Sequence, residues 1–239
     1  LVPKDLGIVR DDNVDVMVLA FERAMDDCDV ILTTGGISMG ETDLVEHVLV
    51  DKLHGILHFG RLNMKPGKPT TLVTMRDNTL VFALPGNPVS AFVCTQLLVL
   101  PCLHLMIHGA DATADTHGAS VDEQLDRTVE NTMVHAERQA KLSHDVKLDA
   151  ERPEYHRVVI ENDGRVRSTG VQRSSRLMSL RDAQALLVLP QATPDHAVAK
   201  EGEEYTLLLL DNKLQTPVCD SRHLNRRGTF NPALQVGVI

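Results

Sequence analysis

Two lysines flank a Pro-Gly pair in the string MKPGKPTT, Met64 to Thr71, where Lys65 and Lys68 could hold a small dianion between two point charges. Pro66 fixes its φ, Gly67 relaxes it and Pro69 follows, so the turn is held with little chain entropy left to lose on binding. A second string, TTGGISMGETD from Thr33 to Asp43, supplies Gly35 and Gly36, whose backbone can bring N–H groups close to an anion. Ser38 adds a hydroxyl. Asp43 adds a carboxylate just before the apolar positions Leu44, Val45, Val48 and Leu49 of a helix, whose N-terminal N–H groups favour anions. Asp43 suits a metal ligand beside a phosphate better than a bare charge facing one; equally, the loop reads as a strand-to-helix turn with Asp43 as its cap. The third string, LPGNPVSA from Leu84 to Ala91, places Gly86, Asn87, Pro88 and Ser90 at another helix start, where hydroxyl, amide and backbone N–H groups can meet a phosphate. Without a ligand it is an N-cap. Each string ends an apolar run, so the three are expected to rim one shared pocket.

The elements that must position these loops follow from the apolar pattern. Leu6 to Val9, Asp29 to Thr34 and Leu80 to Leu84 read as strands, and Val14 to Met25 reads as an amphipathic helix. This alternation predicts a parallel α/β sheet over residues 1–108, with its site at the carboxyl ends of the strands. Residues 109–131 are rich in Asp, Thr, Ala, Gly and Glu and read as a linker. Strands are expected at Met133 to Leu142, Tyr155 to Ile160, Arg165 to Ser168, Ala185 to Leu189 and Tyr205 to Leu210, with a short helix at Arg176 to Ala183. They predict a small β-barrel domain over residues 132–210. Residues 211–239 mix Pro217, Pro232, Gly228 and Gly237 with a basic cluster at Arg222, Arg226 and Arg227, and read as a flexible tail.

Composition bounds the rest. At 239 residues the chain can bury a sizeable core in two domains. Its formal charge of -9, from 24 basic and 33 acidic residues, gives no electrostatic reason to expect nucleic acid or acidic membranes. Cys28, Cys94, Cys102 and Cys219 form no close pair at metal-ligand spacing, which fits a reducing cytoplasm. His54 and His58 lack an acidic or cysteine partner at motif spacing, so zinc is not expected. Val89 to Met106, interrupted by Ser90, Thr95, Gln96, Pro101 and His104, reads as a kinked helix buried in the first domain and not as a membrane span.

TTGGISMGETD, HFGRLNMKPGKP, FALPGNPVSA, RPEYHR and SSRLMSLRDAQALLVLP closely resemble, in order and spacing, the molybdopterin molybdenumtransferases, the molybdenum-insertase family that includes the E domain of gephyrin. The resemblance runs from about Asp5 to Leu210, and RPEYHR and SSRLMSLR point to the gephyrin branch. It implies a molybdopterin-binding α/β domain followed by a β-barrel. The implied activity is insertion of molybdate into adenylylated molybdopterin with release of AMP. By the resemblance, Ser38 and Asp43 match positions for metal and adenylate cleavage, with Mg2+ held at Asp43. Lys65 and Lys68 match the cationic loop, Ser90 the third rim, and Arg157 and Ser175 residues that help hold molybdate. Read by itself, Arg157 would pair with Glu154 or Glu151 at the surface. The resemblance further implies a homodimer, a partner adenylyltransferase, and an N-terminal part, ahead of this chain, that carries the sheet's first strand. Lack of that strand is expected to expose a strand edge. Alternative expectations are a receptor-clustering scaffold and an inactive fragment that binds adenylate or pterin.

Overall fold

A computed structural model of the chain describes residues 2–10, 13–36, 44–112, 135–210 and 235–239. The chain divides into two compact units. One takes residues up to Leu62, Gly67–Ala91 and the described residues 235–239; the other takes Asn63–Pro66 and the described residues from Phe92 to Leu210.

The first unit is built on β1 (Val2–Asp5), α1 (Val14–Asp27), β2 (Val30–Thr34), α2 (Leu44–His47), β3 (Ile56–Phe59), β4 (Thr71–Thr74) and β5 (Leu80–Leu84). Asn13 starts α1, its side chain accepting from the Asp15 and Val16 amides at 3.0 and 3.2 Å, as an N-cap should. Met17, Phe21 and Ala24 then fall on one buried face, the spacing of an amphipathic helix. They pack with Ile31, Val48 and Val81 in one apolar cluster. The strand expected at Leu6 to Val9 lies earlier, at Val2–Asp5. Gly7 turns the chain out at φ 84°, and its amide donates to Asp5 Oδ1 at 2.9 Å.

A strand from the far end of the sequence, β13 (Gln235–Val238), lies between β1 and β2, giving the order β1-β13-β2-β5-β4-β3. Its neighbours run parallel to it, as does β5 to β2, whereas β4 and β3 add antiparallel. The parallel sheet expected is thus four strands of a mixed sheet. Two expectations are corrected by β13: its residues are not a tail, and the edges of β1 and β2 that face it are paired. Residues 211–234 lie outside the described residues.

The second unit contains α3 (Pro88–Cys94) from Phe92 on, a π-helical turn (Thr95–Val99) and α4 (Leu100–Ala112). These run as one uninterrupted helix, which from Phe92 on lies in the second unit and is largely unburied, where a helix buried in the first domain was expected. Pro101 has no N–H to donate, and the preceding turn has shifted register, with Leu100 N–H donating to Thr95 O. Gln96 O is the acceptor freed in that register, and His135 Nε2 lies 2.9 Å from it. The stretch Pro88–Ile107 is long and apolar enough, by length and composition, to cross a membrane, contrary to expectation, and only 28% of it is buried. Its Pro, His and Gln positions are those of a helix packed on protein as readily as on lipid.

Beyond it come β6 (Glu137–Lys141), β7 (Val146–Lys147), β8 (Glu154–Ile160), β9 (Val166–Ser168), α5 (Met178–Arg181), β10 (Ala185–Leu189), β11 (Val198–Ala199) and β12 (Glu204–Leu209). Five of these strands form an antiparallel sheet in the order β6-β12-β10-β8-β9, and β11 pairs with β7. A single bridge, Leu142 to Val166, joins the ends of the sheet, so it curls into a partly closed barrel. Leu142, Val158, Val166, Leu187 and Leu207 fill it.

Candidate oxyanion site and rim loops

In the first unit, β2 and β5 run side by side and deliver the first and third loops to the same end of the sheet. Gly35 and Gly36 have φ of 94° and 68°, the left-handed region that favours glycine. The Gly35 amide donates to Leu84 O at 3.1 Å. A Cβ on Gly86 would stand 3.2 Å from the Gly35 Cα, so close approach explains glycine at 86, while the positive φ explains it at 35. Gly86, Asn87 and Pro88 are exposed, and Ser90 is buried. Ala91 N–H donates to Asn87 O at 3.0 Å, closing the first turn of α3.

Beside the first loop lies a cavity of about 530 Å³, walled by Ile8, Val9, Met17, Phe21, Thr33 and Ile239 among others, with Gly35 and Gly36 at its rim. Thr33 is 5% exposed, and its Oγ1 has no hydrogen-bond partner among the described residues. Ser38 and Asp43 lie outside the described residues. Among the described residues no group of three or more His, Cys, Asp or Glu could hold a metal ion.

The lysine loop is divided. Lys68, with Gly67 at φ 110°, belongs to the first unit; its carbonyl accepts the Leu62 amide at 2.9 Å. Thr70 Oγ1 donates to Gly67 O at 2.7 Å, pinning the turn. Lys65 and Pro66 belong to the second unit. There the Lys65 amide donates to Pro153 O at 2.9 Å and its carbonyl accepts from Tyr155 N at 2.8 Å, so the segment extends the start of β8.

The Lys65 ammonium is 2.8 Å from Glu154 Oε2 and 3.0 Å from Asp149 Oδ2. It is therefore matched by two carboxylates before any ligand arrives. Burial pushes the Lys65 amine down, yet the hydrogen bonds and charges of Glu154 and Asp149 hold it above its ordinary value. Burial pushes Glu154 up, but His156 and Lys65 hold it below the ordinary carboxylate range. His156 Nδ1 lies 2.9 Å from Glu154 Oε1, and its Nε2 lies 2.8 Å from Ser168 Oγ.

Arg157, the fourth residue of β8, is 0% exposed. It makes no ion pair with Glu154 or Glu151 among the described residues; Glu151 instead lies 4.0 Å from Arg152 Nε. Its Nε donates to Ser179 Oγ at 3.2 Å, and neither Nη1 nor Nη2 has a partner among the described residues. Burial lowers the guanidinium to about 10, against the opposing charge of Glu154, so it remains charged at neutral pH. A guanidinium is a fork that matches tetrahedral and planar oxyanions with two N–H groups at once. Burying its charge with most donors idle is costly unless an anion completes the site.

Ser175, which by the resemblance helps hold molybdate, is exposed. Ser179, one helical turn further on, meets the guanidinium and donates to Arg176 O at 2.7 Å. Gln172 supports Arg157 too: its Oε1 accepts the Arg157 amide at 2.9 Å and its Nε2 donates to the Arg157 carbonyl at 3.2 Å.

A mixed sheet with glycine-rich rims, followed by a curled antiparallel sheet holding a buried arginine, defines a molybdopterin-binding domain joined to a MoeA-type C-terminal domain. Two families match accordingly: "Probable molybdopterin binding domain" over residues 1–105 and "MoeA C-terminal region (domain IV)" over residues 139–210. The chain belongs to the molybdenum cofactor biosynthesis family of gephyrin and the MoeA proteins. It is 41% identical to gephyrin of Dictyostelium discoideum over 202 residues, 76% of this chain and 25% of that protein. It is 28% identical to molybdopterin molybdenumtransferase of Bacillus subtilis over 211 residues, 87% of this chain and 43% of that protein. The MoeA protein of Pyrococcus horikoshii shares the fold, with a TM-score of 0.59 and 24% identity over 85% of this chain and 42% of that one. The chain thus spans a quarter to less than half of these relatives' length.

Proposed function

We propose that this chain carries molybdate-binding and pterin-binding parts of a molybdopterin molybdenumtransferase, which inserts molybdate into adenylylated molybdopterin and releases AMP. The observation that carries this reading is the buried Arg157, held by Ser179 at 3.2 Å with both terminal nitrogens unpartnered among the described residues. Its two Nη groups suit two oxygens of a tetrahedral dianion. Lys65, already paired with Glu154 and Asp149, serves here by fixing the start of β8 and not as a free cation. Lys68, which has no ion pair among the described residues, supplies the cationic charge of its loop. The rims at Gly35, Gly36, Gly86 and Asn87 offer backbone N–H groups and an amide to the phosphates of the adenylylated pterin. Catalysis in such a site is positioning and charge neutralisation, because molybdate oxygens and dithiolene sulfurs are themselves the reacting groups.

Magnesium at Asp43, a homodimer of the longer protein and a cytoplasmic setting belong to the same reading. AMP release with and without magnesium, compared between wild type and Asp43→Ala, tests the first; metal-independent release in the wild type contradicts it. For the activity itself, AMP release from adenylylated molybdopterin should depend on molybdate. In Arg157→Lys, which keeps the charge but loses the fork, half-maximal release should need at least tenfold more molybdate. An unchanged titration removes Arg157 from the site.

A further inference from the structure

β13 comes from the far end of the sequence and lies inside the first unit's sheet. Its register runs from Val2↔Gln235 to Asp5↔Val238 on one side and from Val30↔Val236 to Leu32↔Val238 on the other. β1 has β13 as its only neighbour in the order of described strands. β1 and the segment that follows it are therefore tied to the sheet through β13.

The seat is specific. Asp29 fixes its start from both directions: the Asp29 amide donates to Gln235 O at 2.9 Å, and Asp29 Oδ2 accepts the Gln235 amide at 2.9 Å. A Cβ at Gly237 would meet Leu6 Cδ1 at 2.6 Å and Cys28 Sγ at 2.7 Å, so a side chain there forces the strand or its neighbours to move. At the other end the Leu6 amide donates to Val238 O at 2.8 Å, Ile239 N–H to Leu32 O at 2.8 Å and Thr34 N–H to Ile239 O at 3.2 Å. These bonds end beside Gly35.

The same strand shapes the cavity next to Thr33. Ile239 forms part of its wall directly, and Ile8 and Val9 form another part, on the segment that β13 holds through β1. The rest of the wall comes from Arg10, α1, β2, the Gly35–Gly36 turn and Val45 of α2. Thr33, whose buried Oγ1 has no hydrogen-bond partner among the described residues, lines this partly open cavity together with Arg10.

We propose that Gln235–Ile239 is a ligand-linked strand: its insertion between β1 and β2 builds the cavity beside Thr33, and a nucleotide-like ligand seated there holds the strand in. The ligand class rests on the function proposed above, which puts an adenylylated pterin at these loops; the linkage itself rests on the strand's seat. A ligand that binds only the inserted state suppresses strand release by the factor 1 + [L]/Kd, about 100-fold at 100 times Kd.

Amide hydrogen exchange on the full 239-residue chain, with AMP as the probe, tests this. The Leu6, Thr34 and Ile239 amides should be protected in the free chain and should slow about 100-fold when AMP is present at 100 times its Kd. The Tyr155 amide of the second unit should not respond. Gly237→Ala should speed exchange at the three reporters and weaken AMP binding, while the Tyr155 amide keeps its wild-type rate. Unprotected reporters in the free chain overturn strand insertion. Reporters that ignore bound AMP, or a chain that does not bind AMP, overturn the linkage. Neither failure touches the molybdate titration of Arg157, which judges the proposed function separately.

Discussion

In the proposed function Arg157 holds the oxyanion, and its surroundings invert the usual ranking of charged groups. Lys65, conspicuous in its Pro-Gly loop, spends its charge on Glu154 and Asp149, whereas Arg157, inconspicuous in a strand, keeps both Nη groups unpartnered among the described residues. Removing the two should therefore have opposite effects on stability. Lys65→Met leaves Glu154, whose side chain is 4% exposed, without its ammonium partner, and thermal denaturation should show a loss of about 2 kcal/mol. Stability unchanged within error would mean that the pair is solvated and contributes little.

The pH dependence follows from the same cluster. Glu154 and Asp149 are held below their ordinary values, so their contribution is complete above the unfolded carboxylate values of about 4. It declines as pH falls from there through the lowered folded values. Lys65 is raised, so its contribution is complete below about 10.4 and is lost as pH rises through its folded value. Melting of the second unit should thus be flat across neutral pH and fall at both ends. Glu154→Gln should flatten the acid limb, and an identical acid limb in that variant contradicts the assignment.

At the scale of elements, the apolar pattern made α1, β2, β5 and most barrel strands legible before any coordinates. Met17, Phe21 and Ala24 repeat at helical spacing, and the strand at Ala185–Leu189 carries β-branched and apolar residues between breakers. What the pattern did not yield depended on tertiary partners. β13 is four residues of weak signal whose neighbours lie more than two hundred positions away in sequence, as Asp29 and Gln235 illustrate. Helix continuity across Pro101 depended on a register shift and on His135 accepting the company of a freed carbonyl. Ser179 meets Arg157 from α5, a contact between residues 22 positions apart that no local spacing reveals. Loop chemistry was legible only in part: Gly35 and Gly36 predict backbone N–H groups brought close to a ligand, whereas the close approach of the two loops at Gly86 is a tertiary contact. Gly86→Ala should accordingly cost about 1 kcal/mol by overpacking, seen as a lowered urea midpoint. A midpoint equal to wild type would show that the loops have room to separate.

For the whole molecule, two units built from interleaved stretches of sequence carry two kinds of site. The first unit presents glycine-rich rims and an apolar cavity, the second a buried cation. The chain spans 25% of the Dictyostelium gephyrin and 43% of the Bacillus molybdenumtransferase, and the oxyanion binding proposed at Arg157 is the part of the reading that this chain can test by itself. That binding is the central claim, and isothermal titration of molybdate into wild type and Arg157→Met, each with a thermal melt run without molybdate, tests it most directly. The account predicts one site in the wild type and at least tenfold weaker binding in Arg157→Met. It also predicts a ligand-free melting temperature in the variant no lower than wild type, because an apolar side chain relieves an uncompensated buried charge. Equal molybdate affinity in the two proteins, with a variant that melts lower, would mean that Arg157 is a structural arginine and that the oxyanion site lies elsewhere.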